Sequence, residues 1–182
     1  MWIWIVIGVV LLLIIFLISN YNKLVSLRNK VKDQWAQIDV QLKRRFDLIP
    51  NLVEIVKGYV KHEKETLESV IAARNSFTNA STSEDEIKAS NELTNAIGKL
   101  FAIAEAYPDL KANTNFLDLQ KQLAEIEDKI SYARQFYNDN VLEYKNKLEM
   151  FPSNIIASMF GFKPETFFEA NETERENVQV KF

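Results

Sequence analysis

The sequence predicts an all-α protein: an N-terminal transmembrane helix, then an elongated antiparallel bundle of three long helices plus a short C-terminal helix. Three observations predict it. The first 18 residues, MWIWIVIGVVLLLIIFLI, are apolar without exception. Glycine and proline number only four each in 182 residues, too few for a turn-rich β architecture. Apolar side chains then recur at steps of three and four along most of the remaining chain, which is the helical period. The expected divisions are an anchor over 1–19, a helical bundle over 20–163 and an acidic, partly disordered tail over 164–182.

At about 1.5 Å per residue an 18-residue apolar helix is roughly 27 Å long, close to the thickness of a bilayer core. A cleaved leader would carry a basic start, a shorter apolar run and a small-residue cleavage site. Nothing charged precedes Trp2, and Ser19-Asn20-Tyr21 is a poor site of that kind, so a retained span is expected. A soluble core rarely buries a helix that is apolar on every face. Trp2, Trp4 and Tyr21 suit an aromatic belt at the two ends. Lys23, Arg28, Lys30 and Lys32 follow the span, and the positive-inside rule then puts the N-terminus outside and the bundle in the cytoplasm, at the cell membrane. These four residues are also candidate contacts for anionic lipid.

In the body, Leu24, Arg28, Val31, Trp35, Ile38, Leu42, Arg45, Ile49, Leu52, Val56 and Tyr59 form one 3/4 series, and nine of these eleven are apolar. The phase passes Pro50 without a reset, which favours one long helix bent at Pro50; the alternative is a stop there, with Asp47 capping a fresh helix. After Arg74, NSFTNASTSEDE reads as a loop, with Ser83 placed to cap a second helix beginning near Glu84. That helix carries Ile87, Leu93, Ile97 and Leu100 and ends at Tyr107-Pro108-Asp109. A third runs from about Asn115 to Glu149 on Phe116, Leu119, Leu123, Ile126, Ile130, Tyr137 and Tyr144, and Pro152 closes it. Ser153 can cap a short last helix that stops at Gly161.

Composition excludes much chemistry. With no cysteine, disulfides, thiolate metal sites and thiol catalysis are absent. The single histidine, His62, rules out multi-histidine metal sites, and Thr66 stands where a His-Glu-x-x-His motif needs its second histidine. A net charge of −3 offers no general attraction to nucleic acid. No catalytic residue, cofactor, metal or small-molecule substrate is inferred; an enzyme built on Glu54 and His62 would have too few residue types.

The densest polar run is QLKRRFDLIPNLVEIVKGYVKHE. Asp47 lies four after Lys43 and three after Arg44, and Glu54 lies three before Lys57, so helical ion pairs and a solvated face are the bland reading. Arg45 differs because it lies on the apolar stripe. A buried charge is costly unless paired, so it is expected against a carboxylate or a neighbouring protomer.

The run YNKLVSLRNKVKDQWAQIDVQLKRRFDLIPNLVEIVKGYVKHEKETLESVIAAR, the segment AEAYPDLKANTNFLDLQKQLAEIEDKI and the closing FPSNIIASMFGFKPETFFEA resemble the LemA family, over nearly all of Tyr21 to Ala170. Gln34 departs from the pattern, where a small residue would be expected before Trp35, and this touches no functional assignment. The resemblance implies a bacterial membrane protein with one N-terminal helix, a short outside N-terminus and a bent helical bundle inside. It implies no accepted catalytic residues. Gln41, Arg44, Arg45, Asp47, Asn51, Glu54 and His62, with Pro50 at the bend, match its motif positions and stand as a candidate interaction surface.

The expected function is a non-enzymatic, membrane-anchored scaffold that self-associates or recruits a protein partner. The alternative is an accessory subunit of a membrane protease, transporter or signalling enzyme that holds the chemistry. The expected partners are the lipid bilayer and either a second copy or another protein. Because the chain lacks cysteine, Asn79→Cys introduces a unique thiol. A membrane-impermeant thiol reagent should leave it unlabelled in intact cells and label it after lysis; labelling of intact cells would reverse the assigned orientation.

Overall fold

The computed structural model describes residues 1–60 and 62–168. Among them are six helices and no strand: α1 (Trp2–Lys57), α2 (Lys64–Thr78), α3 (Ser83–Ala104), α4 (Pro108–Lys111), α5 (Thr114–Glu149) and α6 (Ser153–Met159). The expected tail over 164–182 is described only for 164–168, and the rest of it lies outside the described residues. The chain forms two compact units, Met1–Ile38 with Ala133–Phe167, and Asp39–Tyr132 with Phe168. Both α1 and α5 contribute to each unit.

α1 is continuous from the apolar segment into the body. Its N-terminal part is long and apolar enough to cross a membrane and buries none of its apolar window within the protein. Pro50 lies inside the helix, on its exposed side, so the chain does not stop there. Proline removes one backbone donor and disfavours helical geometry in the residue before it, yet Ile49 and Leu52 are fully buried on the opposite side and hold the helix through it.

The first unit is built on Leu24, Leu27 and Val31 of α1, which are buried in it together with Tyr137, Val141 and Tyr144 of α5 and Ile156 and Ala157 of α6. α1 and α5 run antiparallel here, since Lys23 faces Glu143 at 3.6 Å while Trp35 meets Tyr137 edge-on with ring centroids 5.4 Å apart. The Tyr137 hydroxyl donates to the Thr166 carbonyl at 2.9 Å, tying the segment after α6 to α5.

Ser153, expected to cap α6, serves the preceding helix instead. Its hydroxyl lies 2.6 Å from the Lys147 carbonyl and 2.9 Å from the Met150 carbonyl, and so satisfies the open C-terminal end of α5. The Phe151-Pro152 peptide is cis. Gly161, at φ +68°, takes the left-handed conformation that terminates α6 as expected.

The second unit differs from the expected layout in one respect. The long first helix ends at Lys57, and α2 returns antiparallel along it, so this unit packs four helical segments where three were expected. The Gly58 amide bonds to the Ile55 carbonyl at 3.1 Å, a three-residue turn that tightens the helix end. The return is fixed by Phe46 and Phe77, stacked at 3.9 Å between centroids, and by Arg74, whose Nε donates to the Phe46 carbonyl at 3.4 Å.

The polar linker after α2 is correspondingly short, and Thr82 rather than Ser83 caps α3 by accepting from the Asp85 amide at 3.2 Å. Leu42, Ile49, Leu52 and Val56 of α1 are buried with Val70 of α2, Leu93 and Leu100 of α3, and Phe116, Leu123 and Ile130 of α5. Each such side chain contributes roughly 1.5–3 kcal/mol on leaving water.

Burial, with the Glu165 charge adding to it, pushes the Tyr137 phenol from 10.0 up to about 12. A raised folded-state pKa means that the stabilisation is complete below the unfolded value and is lost as pH climbs through the folded one. Stability should therefore fall as pH rises from about 10 towards 12, and Tyr137→Phe should flatten that fall; denaturant titrations at stepped pH would read both curves.

Candidate functional site

The polar run of α1 divides its side chains between two directions because the helix turns about 100° per residue. Arg44, Asp47, Asn51 and Glu54, spaced three, four and three, lie on one exposed strip. Arg45, Ile49 and Leu52 point inward. Gln41 is half-buried, with its side-chain carbonyl buried and lacking a hydrogen-bond partner. His62 lies exposed in the connector between α1 and α2, off the helix that carries the others. The motif residues therefore form an outward strip, an inward node and one outlying histidine.

Arg45 is 1 % exposed and is the largest fully buried side chain among the described residues. One guanidinium nitrogen, Nη1, donates to the Glu127 carboxylate of α5 and, at 3.0 Å, to the Thr94 hydroxyl of α3. The other, Nη2, donates to the Ser90 carbonyl at 3.0 Å and the Ser90 hydroxyl at 2.6 Å. A planar guanidinium engages two helices here through two separate nitrogens held in fixed geometry, where a lysine would offer a single nitrogen. The carboxylate partner expected from sequence is thus found within the same chain.

Beside this node lies a cavity of about 330 Å³, lined by Ile97, Gly98, Phe101, Leu123 and Ala124, with Arg45 and Glu127 at its polar side. On the same unit, burial and then the Asp39 charge push the Glu86 carboxyl above the usual carboxylate range.

The outward strip borders a shallow open groove of about 470 Å³, in which Asn51, Glu54 and Ile55 of α1 face Asn115, Asp118 and Gln122 of α5. Glu54 pairs with Lys57 at 3.1 Å, as its spacing predicted. The companion pairing of Asp47 with Lys43 or Arg44 is not made among the described residues, which leaves Asp47 directed to solvent. The α5 side of the groove escaped sequence reading. Its polar residues fall one position from the Leu119 and Leu123 stripe, but only the tertiary fold sets them against Asn51 and Glu54.

Of the juxtamembrane basic residues, Lys30 and Lys32 are exposed, and Lys23 is held near Glu143. Arg28 departs from the expected lipid contact: it is half-buried, with its guanidinium 5.3 Å from the centre of the Phe162 ring. Stacking on an aromatic face takes it into the body of the first unit. No group of three acidic, histidine or cysteine side chains able to hold a metal comes together among the described residues.

These features define a membrane-anchored, all-helical bundle protein. The chain belongs to the LemA family, whose profile matches residues 34–182. It is 26 % identical to Protein LemA of Metamycoplasma hominis over 166 residues, covering 90 % of this chain and 75 % of that protein. It is also 24 % identical over 179 residues to Magnetosome protein MamQ 2 of Paramagnetospirillum magneticum, covering 84 % of this chain and 66 % of that protein. Magnetosome protein MamQ of Magnetospirillum gryphiswaldense is 23 % identical over 178 residues, with 84 % and 65 % covered. The chain thus spans about two thirds of the length of the magnetosome relatives.

Removing one partner of a buried ion pair strands the other, whereas removing both relieves the penalty. Glu127→Ala should lower the unfolding free energy by about 1–3 kcal/mol, and Arg45→Met combined with Glu127→Ala should cost less than the sum of the two single changes. Urea denaturation of the detergent-solubilised chain, followed by circular dichroism, measures all three.

Proposed function

We propose that this chain is a non-enzymatic membrane-anchored scaffold whose helical body docks a second copy or another protein through the outward strip of α1 and the groove beside it. The observation that carries this reading is the division of the motif: Arg45 is spent on holding α1, α3 and α5 together, while Arg44, Asp47, Asn51 and Glu54 are left exposed on one helical face. A strip of mixed charge is well suited to orienting a partner. Asp118 across the groove adds a further carboxylate, so a partner with donor groups, arginine above all, fits it.

The matches to the magnetosome relatives cover 84 % of this chain, so most of the helical body is shared with them. In this reading the bundle lies on the cytoplasmic side of the cell membrane, as the lysines after the span favour.

A photo-crosslinking amino acid at Asn51 or Asp118 should yield a reproducible adduct in native membranes, and Asp47→Lys with Glu54→Lys should abolish it while leaving the melting curve unchanged. An adduct with a membrane protease, transporter or signalling enzyme would make the chain its accessory subunit. A strictly monomeric protein by mass photometry, without adducts at either position, would overturn docking altogether.

A further inference from the structure

α6 is apolar on two sides. Ile156 and Ala157 are buried in the first unit, yet Ile155 and Met159, one turn apart, are 53 % and 68 % exposed. Phe151, four residues before Ile155, is 79 % exposed, and Met150 and Phe160 add 60 % and 57 %. Five large apolar side chains within eleven residues thus face outward. Exposed large apolar side chains gathered this densely mark a surface that something covers.

Its place on the fold identifies the occupant. The Phe160 ring packs against Tyr21 of α1 with centroids 4.8 Å apart, and Met159 and Phe160 line an apolar cleft with Leu17, Ile18 and Tyr21. Leu17 and Ile18 close the apolar run, and both are exposed along with the rest of it. Eighteen residues span roughly 27 Å and a hydrocarbon core about 30 Å, so the edge of the core falls within two residues or so beyond Ile18. Tyr21 and its partner Phe160 therefore stand at that edge, and the α6 patch continues the lipid-facing surface of the span.

We infer that α6 is a second, peripheral membrane contact, in which Phe151, Ile155 and Met159 enter the boundary between headgroups and acyl chains beside the transmembrane helix. Asn154 and Ser158, also exposed, lie between these positions and suit the headgroup layer. Apolar burial drives the contact, since the nearby Lys23 is already held by Glu143. Two attachments, one spanning and one interfacial, fix the tilt of the first unit against the membrane plane, which a single helix leaves open.

The inference rests on the membrane-anchor reading, and one experiment separates the two. Single cysteines at Leu17, Ile155, Met159 and Gln135 of the full chain are labelled with an environment-sensitive fluorophore and reconstituted into phosphatidylcholine and phosphatidylglycerol vesicles, with or without bromine on the acyl chains. Gln135 is an exposed residue of α5, fourteen positions before its C-terminal end at Glu149. Labels at Ile155 and Met159 should emit at shorter wavelength than the one at Gln135 and be quenched by brominated lipid, as at Leu17. Quenching at Leu17 alone, with Ile155 and Met159 behaving like Gln135, overturns the α6 contact and leaves the anchor standing. A wavelength shift at Ile155 and Met159 without quenching means that protein covers the patch, and equally overturns it. No quenching at Leu17 would remove the anchor itself.

Discussion

A backbone crossing hydrocarbon finds no water to satisfy its amide and carbonyl groups, so it must be helical there. That requirement reaches well past the membrane in this chain. Neither proline nor glycine occurs between Asn20 and Lys32, and α1 continues without interruption to Lys57. The helical phase within the span is therefore the phase that turns Leu24, Leu27 and Val31 into the first unit. Within the first unit, anchor and body share one helix. A residue inserted near Tyr21 would rotate the α1 positions of the first unit by about 100° relative to the span, a far harsher change than an insertion in a flexible tether.

Within the second unit, Arg45 supplies what apolar packing alone does not. Leucine and isoleucine stripes give cohesion but tolerate small rotations and slips. A guanidinium bonded to Ser90, Thr94 and Glu127 demands one register among α1, α3 and α5. Such a network need not add net stability, since desolvation offsets much of the attraction. Its value lies in fixing which face of α1 remains outside, and hence where Arg44, Asp47, Asn51 and Glu54 are presented.

The features legible in the sequence were those set by local periodicity. The first-helix stripe is buried at eight of its eleven positions, with Arg28 and Trp35 half-buried and Tyr59 exposed, its hydroxyl 2.8 Å from Asn113. The end of α5 at Glu149 and the stop at Gly161 followed from turn chemistry. The division after Lys57 did not, because Gly58 and Tyr59 sit within a stripe whose period continues, and the turn is made worthwhile only by the distant pairing of Phe46 with Phe77. Ser153 was misassigned for a related reason: a serine next to a short helix can serve the helix before it as readily as the one it begins. Arg45 was identified as a buried charge in need of a carboxylate, while Glu127 had to come from the fold, 82 residues away.

Within the first unit, the membrane span and the part of α1 up to Ile38 form one rigid rod. Spin labels at Leu12→Cys and Gln37→Cys in lipid nanodiscs test it most directly by pulsed electron paramagnetic resonance. Twenty-five residues of uninterrupted helix correspond to about 38 Å between the two backbone positions. A narrow distribution centred near that distance is expected. A broad distribution, or one shifted well below it, would mean that the chain bends or unwinds between the membrane and the bundle and would contradict the claim.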